Sequence, residues 1–149
     1  MKTIFDNNTS QEILNRINKL TPETQRQWGK MDVSQMMTHC YEGLLMVTGE
    51  KKMPRVFIGR LIGKLMKPLV LSEKPFRRNS PTAPGLIIAD AREFEKEKER
   101  LIAKIKSITS SGKTVTTTHP HPFFGKMNPD EWGISVYKHL DHHLTQFGV

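Results

Sequence analysis

The chain has 149 residues, 36% of them apolar and 26% charged, enough for one domain around one hydrophobic core and too balanced for a disordered polymer. Its single cysteine, Cys40, excludes an intramolecular disulfide and any multi-cysteine zinc cage, and a reducing compartment fits it best. The net charge of +8 is local: nine lysines and arginines between Lys51 and Arg78 face one acid, Glu73, while the remaining charges cancel.

Hydrophobic periodicity predicts an all-α chain with four substantial helices. The first is expected from about Ser10 to Lys19, where Ile13, Leu14, Ile17 and Leu20 recur at helical spacing and Thr21-Pro22 ends it. Asp32 can cap a second helix reaching about Thr48, with Val33, Met36, Met37, Cys40, Leu44 and Val47 as its apolar stripe and Gly49 as its stop. Cys40, Met36, Met37 and Met46 read as core packing rather than as ligands.

Arg55 to Met66 alternates apolar pairs with single cations and ends at Pro68, the pattern of a short amphipathic surface helix within a crossover. Arg60, Lys64 and Lys67 interrupt this most apolar stretch, so no transmembrane span is expected. Ser72 to Gly85, with three prolines, reads as an irregular loop. A long charged helix is expected from Asp90 to about Ser110, its core face marked by Phe94, Leu101, Ile105 and Ile108. The Glu93 to Arg100 run reads as a solvated face with intrahelical ion pairs.

Gly112 to Met127 reads as a proline-rich loop with weak strand character. Asn128, Pro129 and Glu131 then stand at the N-cap, N1 and N3 positions of a last helix that runs to Phe147 and stops at Gly148. The N-terminal residues meet polar Asn7-Asn8-Thr9-Ser10 without an apolar run, so a cytoplasmic location is expected.

Three of the six histidines, His139, His142 and His143, lie in this last helix. Residues four apart stack on one face, so the imidazoles of His139 and His143 can converge on one ion, while His142 points roughly 60 to 100° away and reads as solvent-facing. The apolar stripe of Trp132, Val136, Leu140, Leu144 and Phe147 has His139 and His143 at its edge. Polar groups there need partners, and a shared metal or ordinary hydrogen bonds can supply them. A third imidazole is available from His39 at the edge of the second helix's stripe. Gly43, one turn on, costs about 1 kcal/mol relative to alanine and reads as open space beside His39.

The last helix, Glu131-Trp132 and Tyr137-Lys138-His139-Leu140-Asp141-His142-His143-Leu144-Thr145-Gln146-Phe147, resembles the closing helix of the DinB/YfiT-like superfamily of metal-dependent enzymes. His121-Pro122-Phe123-Phe124-Gly125, Trp28-Gly29-Lys30-Met31 and Gln35-Met36-Met37-Thr38-His39-Cys40 extend the resemblance over essentially the whole chain, closest to an uncharacterised branch. It implies a DinB-like four-helix bundle over residues 1–149, into which this sequence sets a basic crossover insert between the second and third long helices. It also implies a divalent metal, zinc or nickel before others, on His39, His139 and His143. Relatives include transferases and isomerases that use low-molecular-weight thiols. The insert from Lys51 to Pro84 departs from a simple bundle connection and puts an inherited substrate in doubt.

Around the trio, Gln146 can orient His143 or hold a water, Glu42 can act as acceptor or proton shuttle for His39, and His121 can sit at the site mouth. Their plain alternatives are a buried hydrogen bond, a solvated surface glutamate and a simple loop histidine. The leading expectation is a metal-binding protein acting as a hydrolase or thiol transferase on a small anionic thiol. The alternatives are a basic module for nucleic acid or anionic membrane, against which stands the lack of any nucleic-acid motif, and a metal-free bundle that forms a homodimer.

Overall fold

The computed structural model describes residues 1–149 as an all-helical chain with no strand. Its helices are α1 (Asn7–Asn18), α2 (Val33–Val47), α3 (Phe57–Val70), α4 (Phe94–Ser111) and α5 (Pro129–Gln146), with 3₁₀ turns at Pro84–Leu86 and Gly112–Val115. Both α1 and α2 pack on α4 and α5. Their apolar stripes meet in a core of 21 buried residues. Ile13, Met37, Leu101, Ile105, Leu140 and Leu144 are essentially inaccessible, and each such side chain contributes about 1.5–3 kcal/mol of burial.

Side-chain caps decide where the site-bearing helices begin. Asp32 accepts from the Gln35 N–H at 2.8 Å while the Gln35 side chain accepts from the Asp32 N–H at 3.0 Å. Asn128 and Glu131 make the same reciprocal pair at 2.9 and 2.8 Å. Each box satisfies two backbone donors that a helix start leaves orphaned. Burial of the apolar stripes then sets the rotation that presents His39, His139 and His143.

Three boundaries differ from the sequence expectation. α1 begins at Asn7 rather than near Ser10, because the Asp6 carboxylate accepts from the Thr9 N–H at 2.8 Å. α4 begins at Phe94 rather than Asp90, whose carbonyl instead accepts from the Gln35 side chain at 3.2 Å. α3 runs through Pro68 to Val70, and its open C-terminal end is closed by the Lys138 ammonium, which donates to the carbonyls of Val70, Ser72 and Lys74.

Within the charge run, Glu97 is not solvated: it is 2% exposed and paired with Arg100. The weak strand character of the 112–127 loop reduces to one bridge, in which His121 and Gly125 exchange N–H···O bonds of 2.8 and 3.0 Å.

Candidate metal centre

α2 contributes His39, and α5 contributes His139 and His143 one turn apart. The three ring centroids stand 4.7–4.9 Å from one another, and one ligand-capable atom of each lies within 4.8 Å of the others. His39 Nε2 is 2.9 Å from His139 Nε2. Two metal–nitrogen bonds of about 2.0–2.1 Å at the tetrahedral angle span about 3.3 Å, so one ion takes the place of this ring-to-ring hydrogen bond once the proton between the nitrogens has left and the pair has opened by a few tenths of an ångström. His39 and His143 are buried and His139 is partly buried.

Hydrogen bonds orient two of the rings. Leu86 O is an acceptor only and lies 2.9 Å from His39 Nδ1, so Nδ1 carries the proton and the Nε2 lone pair faces His139. On α5, Gln146 donates through Nε2 to Trp28 O at 2.7 Å, which turns its Oε1 toward His143 Nδ1 at 2.8 Å. His143 Nδ1 therefore donates, and its Nε2 is left as a free acceptor. Two nitrogens thus stand ready as ligands, each fixed from behind by a carbonyl-type oxygen, as metal-binding histidines usually are.

Burial also keeps the rings neutral, the form that ligates. His39 is held below the ordinary value by burial and by the nearby Lys51 charge. His139 is held well below it by burial and by the neighbouring His143 and His39. His143 is lowered to about 3 by burial, with His39 adding to the effect. Three neutral imidazoles in one largely buried site are a donor set that suits a borderline divalent cation.

A family model described as "Protein of unknown function (DUF1569)" matches residues 3–148. The chain belongs to that family. No curated protein and no solved structure matches it.

Other residues of this DUF1569 chain take places that the sequence alone did not assign. Gly43 does not open space beside His39: a Cβ there would stand 3.2 Å from His139 Cε1 and 3.3 Å from its Nδ1, so the glycine makes room for the ring arriving from α5. Gly29 has φ +84° and its Cβ would meet Gln146 Nε2 at 2.4 Å, so the Trp28-Gly29 turn is shaped around the Gln146 amide. Glu42 pairs at 2.7 Å with Lys51, the lysine whose charge acts on His39. His121 serves its own turn, its Nδ1 accepting from the N–H groups of Phe123 and Phe124 at 3.1 and 3.2 Å while its ring stacks on Phe124.

His142 is half-buried rather than solvent-facing. Its ring lies 5.2 Å from that of His143, 5.8 Å from Trp28 and 5.9 Å from Phe76. Phe76 belongs to the loop after α3, which folds back over this end of α5. The same loop sets Arg78 4.3 Å over the Trp28 ring. Trp28, Phe76, Arg78 and His142 share the wall of a cleft of about 480 Å³. Neither Leu86 nor this loop was readable as part of the site, because both lie far from the histidines in sequence and act through backbone or packing. Trp28-Gly29 was the one available signal, a glycine beside a large aromatic outside any helix.

Proposed function

We propose that this DUF1569 protein binds a divalent metal ion, zinc or nickel before others, through His39, His139 and His143 in a site of the DinB/YfiT type, within one bundle domain. The observation that carries the reading is the convergence of three neutral imidazoles, two of them oriented from behind by Leu86 O and Gln146. A divalent ion there supplies a Lewis acid, which activates water or a thiol or polarises a carbonyl. The reaction class that follows is metal-dependent hydrolysis or transfer of a small anionic thiol.

The chain's own residues supply the rest. Leu86 O and Gln146 hold the ligand tautomers of His39 and His143. The Arg78 guanidinium lines the neighbouring cleft, whose wall includes His142 but none of the three ligands, and is a partner there for a carboxylate on a substrate that reaches from cleft to ion, whereas Lys138 is not free because its donors serve three backbone carbonyls. His142 lines the same cleft beside His143, and burial lowers its pKa, so it is neutral near pH 7 and able to accept a proton.

The test is elemental analysis of untagged protein purified without added metal, with wild type and His139→Ala in parallel. One ion per chain in wild type and its loss in the folded variant support the site. No metal in wild type, even after reconstitution, overturns it. If the site is supported, His142→Ala is expected to retain the ion and lose activity in hydrolysis and thiol-transfer screens.

A further inference from the structure

α3 has two faces of different character. Its inward face is small: a Cβ on Gly59 or Gly63 would come within 2.6 or 2.0 Å of the Phe123 backbone, so helix and loop meet backbone to backbone. Its outward face is large, apolar and open. Of the eight exposed large hydrophobic side chains in the protein, six belong to α3: Phe57, Ile58, Leu61, Ile62, Leu65 and Leu69. Phe57 and Leu65 are 77% and 79% exposed. At 100° per residue the six fill a single arc of about 140°.

The helix is held in this pose from both ends. The Arg55 guanidinium donates to the carbonyls of Pro122, Gly59 and Phe123 at the start, and Lys138 closes the other end. The apolar arc is thus presented outward by fixed contacts. Arg60 and Lys64 flank it, exposed and without an ion pair, while Lys67 on the same flank is paired with Glu131 at 2.7 Å. The only acid between Lys51 and Arg78 is Glu73.

The charge selects the occupant. A second copy laid on this face about a two-fold axis would set the basic segment against itself, and like charges oppose that pairing. Nucleic acid would use the cations but gains little from leucine and isoleucine, since single strands bind by stacking on aromatic rings. An anionic bilayer uses both features at once: apolar side chains enter the acyl boundary while arginine and lysine stay among the headgroups. The 14-residue helix suits lying in the interface, and no helix is long and apolar enough to cross a membrane.

We propose that α3 docks the protein onto an anionic membrane surface, with Phe57, Leu61 and Leu65 inserted and Arg60 and Lys64 at headgroup level. The test is co-sedimentation of the full chain with phosphatidylcholine vesicles and with the same vesicles containing phosphatidylglycerol, at low and high salt. Wild type is expected to bind the anionic vesicles in a salt-sensitive way. The double variant Leu61→Gln with Leu65→Gln, which leaves the net charge unchanged and whose circular dichroism and melting should match wild type because both sites are exposed, is expected to bind about tenfold more weakly or worse. Absence of wild-type binding at low salt overturns the proposal. So does binding that the double variant leaves unchanged, which would mean adsorption by charge alone. A wild-type dimer that the double variant splits, read by light scattering, also overturns it by giving the face to a second copy.

Discussion

Replacing Gln146 with methionine removes both polar ends of a side chain of similar length at a position only 4% exposed. Two groups lose their partners: the part-buried Trp28 O, bonded at 2.7 Å, and the buried His143 Nδ1–H, bonded at 2.8 Å. Each unpaired group costs about 1–3 kcal/mol, with the part-buried Trp28 O at the low end, so metal-free protein should lose about 2–4 kcal/mol of stability. The loss at the site is separate. Without Oε1 the His143 proton is free to move to Nε2, the nitrogen that faces the trio, and metal affinity should fall by about 10- to 100-fold. Gln146→Glu separates the two effects: it keeps an acceptor for His143 but loses the amide donor to Trp28 O, so stability should fall while affinity stays near wild type. Urea denaturation of metal-free protein and competitive zinc titration measure the two quantities. Unchanged zinc affinity in Gln146→Met, beside a clear loss of stability, would refute the orienting role and leave Gln146 as a brace between α5 and the Trp28 turn.

Acid should weaken the metal-free fold through its buried histidines. His143 and His121 are lowered from 6.5 to about 3 and about 4, chiefly by burial, so below pH 6.5 the unfolded chain takes up protons that the folded chain refuses. Stability should therefore be full above pH 6.5 and fall by up to about 1.4 kcal/mol per pH unit for each histidine as pH drops toward 4. Urea midpoints between pH 7 and 5 check this, and a flat profile would contradict it. Gly63→Ala places a Cβ 2.0 Å from Phe123 O, a backbone atom that cannot swing aside. Overpacking of this kind costs about 1–3 kcal/mol and should loosen α3 from the 121–127 loop. Limited proteolysis should then cut faster within Phe57–Val70 while the melting of the α1, α2, α4 and α5 core changes little.

Local physics made much of the fold readable from the chain alone. Apolar residues at helical spacing marked the buried faces of α2, α4 and α5, and the stripes from Val33 to Val47 and from Trp132 to Phe147 are buried as expected. Asp32 and Asn128 announced their helix starts because capping needs only residues three apart. The His139 and His143 pair was legible for the same reason, since residues four apart must share a helix face.

What lay beyond the sequence was whatever depends on partners distant along the chain. Nothing local to Gly43 says that His139 fills the space above it, and nothing near His39 points to the carbonyl of Leu86, 47 residues later. His142 reads as outward on an isolated helix; it becomes half-buried because Trp28 and the loop carrying Phe76 pack against it. The amphipathic pattern of α3 was visible, but not which side would be covered. Two glycines let its backbone settle on Phe123, and that close approach turned the small face inward and left the large apolar face to the outside.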